Sequence, residues 1–209
     1  MSATRGPEPR QRLLDGTVEY LARHGTAGMS LRQLATALGT SHRMLLYHFG
    51  SKEALLVEVA RAVEQQQRDQ FRLLGIRPDA EPGVVMRDMY RRLVDPATWP
   101  YMRLFFDLYA RGLQGDEVAA RLLDGVVTLW VEPLARFIRA QGVPEADARA
   151  DARIALATAR GLALDLLATG NRSGIDEAAE RFISGLEQRW RAERPKGQKL
   201  TAGRSSLPP

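Results

Sequence analysis

The chain has 209 residues, 44% of them hydrophobic, and a net charge of +5 at pH 7. This apolar content is normal for a globular protein of one or two domains, so a wholly disordered chain is excluded. There is no cysteine, which rules out disulfides, thiolate catalysis and zinc–cysteine sites. No apolar run reaches the roughly 18 residues of a membrane span, and the first residues, MSATRGPEPRQ, lack the apolar core of a signal peptide. We therefore expect a soluble cytoplasmic protein without a membrane partner.

The positive charge is concentrated at the two ends of the chain. Residues 1–52 hold seven Arg or Lys and three acidic residues, residues 53–190 hold 18 and 21, and residues 191–209 hold five and one. All three histidines also lie in the first segment. A basic N-terminal segment before a slightly acidic body indicates a module that binds a polyanion. Chance segregation of charge is the alternative at this stage.

The predicted structure is all-α, with about nine helices between Arg10 and Ala192, because the alternation typical of strands is absent. Pro133 lies inside the seventh predicted helix and is expected to kink or break it. The tail 193–209 is polar and rich in proline and glycine, so it is expected to be disordered. The predicted helices cover residues 9–24, 30–38, 41–49, 52–74, 83–94, 97–113, 116–141, 145–169 and 175–192.

Two short predicted helices, 30–38 and 41–49, are joined by a tight turn at Gly39. Ser30 and Gln33 have the spacing of a capping box at the start of the first helix. This arrangement is the helix-turn-helix pattern, in which the second helix enters the major groove of DNA and the first lies across it. An ordinary hairpin of a helical bundle, with a polar outer face, is the alternative interpretation.

Helical spacing divides the side chains of the second short helix between two faces. Leu45 and Phe49 are expected to face the core, and Arg43 and Tyr47 lie on the opposite side. An arginine fork can bind guanine O6 and N7 or a phosphate. Lys52 begins the next helix, where free backbone N–H groups and the helix dipole already favour an anion. The outer face therefore offers the groups that a DNA-binding surface needs.

Residues 14–56, LDGTVEYLARHGTAGMSLRQLATALGTSHRMLLYHFGSKEALL, resemble the DNA-binding domain of tetracycline-repressor (TetR) family transcriptional regulators. The matching features are an amphipathic helix ending in glycine, then Ser-Leu-Arg-Gln-Leu-Ala, a glycine turn, a helix ending in aromatic-His-Phe, and Ser-Lys-Glu followed by Leu-Leu. The match covers about 45 residues without a gap. The remaining residues share only length and helical character with that family.

The resemblance implies a homodimer with two DNA-binding heads and a C-terminal domain that dimerises and binds a small effector. Binding of the effector is then expected to release the protein from DNA. The implied domains are a flexible arm (1–9), a helix-turn-helix domain (10–56), an effector-binding and dimerisation domain (57–192) and the tail (193–209). The partners are then a double-stranded operator, a small-molecule effector and a second copy. The expected DNA-contacting residues are Ser30, Arg32, Thr40, Ser41, His42, Arg43, Leu46, Tyr47, His48 and Lys52.

One position departs from the family pattern. Leu46 stands where the family usually has a tyrosine, and a leucine cannot hydrogen-bond a phosphate. Either that contact is lost, or Leu46 packs against a thymine methyl group instead. Arg43 stands where a small residue is common, so it can be a specificity determinant of this protein.

Bulky apolar side chains in the later helices are the candidates for an effector site, and a packed core is the alternative. Two acids lie in apolar stretches, Asp107 four residues after Arg103 and Asp165 five residues after Arg160. Each is either a buried ion pair or a ligand contact, since an unpaired buried charge is expensive. The candidate effector residues are Met86, Met89, Tyr90, Trp99, Met102, Arg103, Phe105, Phe106, Asp107, Tyr109, Trp130, Leu134 and Asp165.

The last two predicted helices carry small and apolar residues suited to close packing between two chains, or within one chain. A symmetric four-helix interface would match a palindromic operator. The candidate interface residues are Leu156, Ala159, Leu162, Leu166, Phe182 and Leu186.

Other function classes find little support in the sequence. No catalytic residue, cofactor or metal site is expected, because no Gly-rich phosphate loop, HExxH or GxSxG pattern occurs and the three histidines are widely separated. A helical ligand-binding or interaction protein that has lost specific DNA binding is the runner-up, and Leu46 is the feature that favours it. Repression is the commoner outcome in such a family, but the sequence leaves repressor and activator open, as it does the effector, the operator and the target genes.

Overall fold

The computed structural model describes residues 8–25, 28–75 and 81–193. All regular structure in these residues is helical, and α7 is a single turn while the other nine α-helices have seven residues or more. Two 3-10 turns, Pro96–Thr98 and Arg121–Leu123, accompany them. The helices are α1 (Pro9–His24), α2 (Leu31–Ala37), α3 (His42–Phe49), α4 (Lys52–Gly75), α5 (Pro82–Leu93), α6 (Trp99–Leu113), α7 (Glu117–Ala120), α8 (Thr128–Arg139), α9 (Glu145–Thr169) and α10 (Arg172–Glu193).

The all-α prediction is confirmed, and the first helices begin where their caps predict. The Ser30 hydroxyl accepts a hydrogen bond from the Gln33 backbone N–H at 3.2 Å, and the Gln33 side chain accepts one from the Ser30 N–H at 3.1 Å. This is the predicted capping box of α2. Ser41, rather than Thr40, caps α3, because its hydroxyl accepts from the Met44 N–H at 3.2 Å.

The predicted helix 116–141 is interrupted, but the position of the break differs from the prediction. The chain leaves helical geometry after Leu123, and Gly125 takes a φ of 72° in the left-handed region. Pro133 instead lies buried inside α8. A proline removes a single N–H donor, which this packed helix tolerates, whereas a left-handed residue redirects the whole chain.

The chain forms two compact units. The first, here called the head unit, combines residues up to Gln67 with Asp95–Gly125, and the second, the body unit, combines Arg68–Val94 with the residues from Val126 onward. The helix-turn-helix segment therefore belongs to the same unit as α6. The predicted arm 1–9 and tail 193–209 lie outside the described residues, apart from Glu8, Pro9 and the backbone of Glu193.

The core of the head unit is built from the inward faces of α1 to α4. Gly16 on α1 allows a close approach by Leu38, since a Cβ on Gly16 would lie 2.8 Å from Leu38 Cδ2. The Tyr101 hydroxyl on α6 donates to the Val18 carbonyl at 2.6 Å, and burial raises the pKa of that phenol. The buried residues of these helices include Leu14, Leu21, Leu34, Ala35, Leu45, Phe49, Leu55 and Val59.

The core of the body unit joins α5, α8, α9, α10 and the end of α4. Aromatic side chains pack at its centre, with the Phe71 ring 5.7 Å from Phe137 and 6.5 Å from Trp130. No helix in the described ranges has the length and apolarity needed to cross a bilayer. The other buried core residues are Val85, Val131, Leu134, Ala135, Ile138, Val143, Ala148, Ala152, Leu156, Leu186 and Trp190.

One carboxylate lies in this apolar core. Asp151 on α9 is 8% exposed and accepts hydrogen bonds from the Trp190 indole N–H at 2.7 Å and from Arg189 at 2.8 Å. Two donors compensate the desolvation of its charge, so Asp151 ties α9 to α10.

Replacing this carboxylate should destabilise the body unit. Asp151→Ala leaves the buried Trp190 N–H without its acceptor, so we expect the free energy of unfolding to fall by about 1–3 kcal/mol. Asp165→Ala, at an exposed acid of the same helix, should change it by less than about 0.5 kcal/mol. Urea denaturation at one protein concentration measures both, and equal losses would contradict the role given to Asp151.

Candidate nucleic-acid interface

The turn between α2 and α3 is closed by two backbone hydrogen bonds. The Thr40 N–H donates to the Ala35 carbonyl at 2.9 Å, and the Gly39 N–H donates to the Thr36 carbonyl at 3.2 Å. Together they form a Schellman motif, which needs a left-handed residue. Gly39 supplies it with a φ of 63°, a conformation strained for residues with a side chain. This turn sets where α3 begins and which way it runs.

The two faces of α3 match the spacing of the sequence. Leu45 and Phe49 are buried in the head core, and the side chains on the opposite side reach solvent. Tyr47 is 78% exposed, the largest value among the exposed large hydrophobic residues of the described chain. The exposed residues of α3 are His42, Arg43, Met44, Leu46 and Tyr47.

Arg10 braces the C-terminal end of α3 from α1. Its guanidinium lies over the Phe49 ring at 5.1 Å, its Nε donates to the His48 carbonyl at 3.4 Å, and it forms an ion pair with Glu58 of α4. One side chain thus contacts α3 and α4 together. Sequence reasoning missed this residue, because no local pattern connects Arg10 to a partner 48 positions away.

Lys52 has a structural partner at the start of α4. Its Nζ donates to the Met29 carbonyl at 2.5 Å, and Met29 is itself buried. The ammonium group thereby holds the segment before α2 against the start of α4. Two of its three N–H donors are left for another acceptor.

His48 is less accessible than its neighbours on α3. Its ring packs edge-on against Tyr47 at 5.1 Å, and its Nε2 is buried without a hydrogen-bond partner in the described residues. A DNA contact by His48 would therefore have to come from Nδ1 or require a movement of the ring. The hydroxyls of Ser30 and Ser41 are already engaged as helix caps.

The stretch of sequence that forms α2 and α3 carries charge of one sign. No Asp or Glu occurs between Glu19 and Glu53 in the sequence. Arg32 on α2 and Arg43 on α3 are both exposed, and no acidic partner is within reach along their own helices. Such a surface attracts a polyanion.

Comparison with known proteins identifies the family. A sequence profile described as "Bacterial regulatory proteins, tetR family" matches residues 13–59, which run from α1 into α4. The HTH-type transcriptional regulatory protein RaaS of Mycobacterium tuberculosis is 30% identical over 159 residues, covering 72% of this chain and 67% of RaaS. The chain belongs to the TetR family of bacterial regulatory proteins.

Two further similarities agree with membership of the TetR family. The HTH-type transcriptional repressor AcnR of Corynebacterium glutamicum is 31% identical over 121 residues, or 56% of this chain, and the match spans 59% of the length of AcnR. The solved structure of a TetR transcriptional regulator from Legionella pneumophila has a TM-score of 0.69 at 16% identity, covering 86% of this chain and 97% of that one. At that identity the likeness shows the fold alone.

The predicted effector residues divide between the two units. Those numbered 99–109 lie on α6 in the head unit, and the remaining six lie in the body unit. Trp130 and Leu134 are buried in the body core, and Met86 and Met89 pack against it half-buried. Among the residues of α6, the Phe105 ring contacts those of Phe106 at 5.4 Å and Tyr109 at 5.5 Å, while Met102 is buried.

Tyr90 has a partner of its own in the body unit. Its hydroxyl donates to Asp176 at 2.5 Å, and Arg172 donates to the same carboxylate oxygen at 2.7 Å. Burial, and then the hydrogen bond to Asp176, raise the pKa of the Tyr90 phenol. The hydroxyl thus joins α5 to α10.

Of the two alternatives for Asp107, a buried ion pair with Arg103 is wrong, and a ligand contact stays a prediction. The Asp107 side chain is 62% exposed and lies 3.8 Å from Arg111. The Arg103 guanidinium lies instead over the Trp99 ring at 5.8 Å. An acid on a helix has neighbours at both i−4 and i+4. Here the i−4 arginine, Arg103, packs on Trp99, and the i+4 arginine, Arg111, lies near the carboxylate.

For Asp165 the alternative of a buried ion pair with Arg160 is also wrong, and a ligand contact stays a prediction. Asp165 is exposed and accepts a hydrogen bond from the Thr169 hydroxyl at 3.2 Å. Arg160 donates to the Val126 carbonyl at 2.9 Å. A spacing of five residues places two side chains on different faces of a helix, so these two could not meet. Among the described residues of the body unit, the buried acid is Asp151.

The predicted dimer residues fall into two groups. Leu156, Leu166 and Leu186 are between 1% and 9% exposed, so they pack inside the chain and present almost no surface to a second copy. Ala159, Leu162 and Phe182 are half-buried and stay candidates.

Removing the Arg10 brace should loosen α3 without unfolding the chain. Arg10→Ala deletes a partly exposed ion pair and a ring contact, together about 1 kcal/mol. We expect the backbone amides of α3 to exchange their hydrogens about fivefold faster.

Arg23→Ala is the matched control, since it removes the same charge from α1 and its exposed partner Glu19 lies one turn away. Hydrogen exchange followed by mass spectrometry measures both variants. Equal exchange rates in α3 for the two would show that Arg10 does not hold this helix.

Proposed function

We propose that this chain is a sequence-specific DNA-binding transcriptional regulator that represses transcription. It binds a palindromic operator on the chromosome as a homodimer, and a small lipophilic effector releases it from the DNA. The observation that carries the proposal is the outward face of α3. Arg43 and Tyr47 are exposed at its centre, the helix is anchored at both ends, and no acid lies between Glu19 and Glu53. A helix held in this way, with donors facing out and positive charge around it, fits the major groove.

Within this proposal the side chains divide between bases and phosphates. Arg43 reads a guanine through its two-pronged donor, and Tyr47 lies beside it. His42, Thr40 and the N–H groups at the start of α3 contact phosphates. Arg32 at the start of α2 contacts the backbone across the groove. Ser30 can do so only by releasing Gln33, to which its N–H and its hydroxyl both donate. These residues lie on α2, on α3, or just before one of the two helices, all within the head unit, so a single surface presents them.

Lys52 takes a double role in this proposal. Its bond to the Met29 carbonyl stabilises the start of α4, and its remaining donors can reach a phosphate at that helix N-terminus. Its removal would therefore disturb the fold as well as the contact, so Lys52 is a poor choice for a test of phosphate binding alone.

Repression is the direction that the relatives support. AcnR is described as a transcriptional repressor and RaaS as a transcriptional regulatory protein. Both descriptions apply to those relatives, and for this chain repression is part of the proposal. An effector site in the body unit is supported by Met86 and Met89, which are half-buried against the apolar core, because methionine adapts its shape to an apolar ligand.

The exposed face of α9 supports the dimer. Six apolar or small residues recur on it at alternating spacings of four and three, the pattern of a helix–helix seam. Ile154 is 47% exposed and Leu164 is 51% exposed, and nothing lies within 4 Å of a Cβ built on Gly161. The same holds for Gly185 on α10. The row on α9 consists of Ala150, Ile154, Ala157, Gly161, Leu164 and Ala168.

The first test is binding of the purified protein to DNA from its own upstream region. Sequence-specific binding should exceed binding to scrambled DNA by at least about 1,000-fold at physiological salt, with two chains per site. A salt series and sedimentation measure the affinity and the stoichiometry. Equal, salt-sensitive affinity for this DNA, for scrambled DNA and for genomic fragments would contradict the proposed function.

Arg43→Ala should cost about 1–3 kcal/mol on the specific site and relax the preference at one base pair in each half-site. Arg32→Ala is the control, because a phosphate contact should weaken binding to all sequences alike and lower the salt slope by about one. Competition binding against single-base operator variants measures the preference. If both variants lost affinity equally on specific and random DNA, the base-reading role of Arg43 would be wrong.

Leu164→Glu should yield monomers, because it places a charge in the proposed seam. Leu113→Glu is the matched control, since Leu113 is 67% exposed on α6 in the head unit. Sedimentation velocity distinguishes the two species. A dimer that persists in Leu164→Glu would place the interface on another surface.

A further inference from the structure

Exposed apolar side chains are concentrated on α3. The described part of the head unit exposes four large hydrophobic residues, and three of them, Met44, Leu46 and Tyr47, lie within four positions of this eight-residue helix. The fourth is Leu113 on α6. Met44 is 41% exposed and Leu46 is 36% exposed. The inward anchors of the helix are Leu45 and Phe49, and each of these three side chains keeps a large surface exposed to solvent.

The helix geometry places the two aliphatic side chains on opposite flanks. At 100° per residue, Arg43 and Tyr47 form the centre of the outward face. Leu46 lies one turn after Arg43 on one flank, and Met44 lies one turn before Tyr47 and His48 on the other. Leu46 is therefore the apolar neighbour of the arginine that we propose reads a guanine.

The surroundings of Leu46 favour a nucleic acid over a protein surface as the occupant of this face. Arg43 and His42 are exposed beside it, and no acidic residue occurs between Glu19 and Glu53. The surface is thus cationic with an apolar strip. In the major groove of DNA, the apolar feature among phosphates and polar base edges is the C5 methyl group of thymine.

We infer that Leu46 reads the C5 methyl group of a thymine close to the guanine bound by Arg43, an inference that rests on the proposed function. Side chains one turn apart have Cβ atoms about 5–6 Å from each other, and successive base pairs are about 3.4 Å apart. Each operator half-site should therefore contain a T·A pair within about two base pairs of a G·C pair. An aliphatic side chain at this position cannot hydrogen-bond a phosphate but can contact the methyl group of a base.

The test begins with selection of preferred sites from a random duplex pool by the full-length protein. Each thymine of the selected site is then replaced by uracil, which keeps the hydrogen-bonding edge and removes only the methyl group. At one position in each half-site, the affinity of the unmodified protein should fall about fourfold, the ~0.8 kcal/mol of one buried carbon group. Replacement in both half-sites should give a loss of about 16-fold.

The loss must depend on the side chain of Leu46. Leu46→Ala, a change to a strong helix former at an exposed position, should bind the thymine and uracil sites equally. Met44→Ala is the matched control and should keep the fourfold difference at that position. A second readout uses cytosine and 5-methylcytosine at the same place, where the unmodified protein should prefer the methylated base about fourfold and Leu46→Ala should not.

The possible failures are distinguishable. A selected site without a uracil-sensitive thymine, or with a sensitivity that persists in Leu46→Ala, would overturn the inference and leave sequence-specific binding intact. A selection that enriches no sequence would overturn the proposed function, and the inference with it.

Discussion

The shortness of α3 is the constraint on which the DNA-binding surface depends. An isolated helix of eight residues is unstable in water, because nucleation is unfavourable and few hydrogen bonds follow it. Its conformation is therefore maintained by its surroundings: the Schellman turn at Gly39, the burial of Leu45 and Phe49, and the Arg10 contacts at its end. Because Leu45 and Phe49 face inward and His48 is half-buried, the other five residues of α3 face outward.

Most of the head could be predicted from the sequence because its signals are local. Caps, a left-handed glycine and the spacing of leucines act within a few residues. The capping box of Ser30 and Gln33 therefore identifies the start of α2, and Gly39 identifies its end. The family resemblance added the biological context. Arg10 could not be found in this way, since its partners on α3 and α4 come together only in the folded chain.

The helices from α6 onward were harder to predict, because burial depends on neighbouring helices that are distant in the sequence. Asp107 and Asp165 have apolar neighbours along the chain, yet both are exposed, and the buried acid Asp151 lies in a polar stretch of sequence. The indole N–H that binds this carboxylate comes from Trp190 on another helix, α10. The break at Gly125 rather than Pro133 has a similar origin, because packing of α8 on α9 stabilises a helix around the proline.

Glycines inside α9 and α10 support the proposed pairing of two copies through the body unit. A helical glycine is about 1 kcal/mol less favourable than alanine, and Gly161 and Gly185 have open space where a Cβ would be. Intrachain packing therefore gives no reason for either. Small residues beside exposed Ile154 and Leu164 would let a second backbone approach closely while the leucine and isoleucine are buried. The exposed glycines and the exposed aliphatic side chains are then explained together by one surface, the proposed seam between two copies.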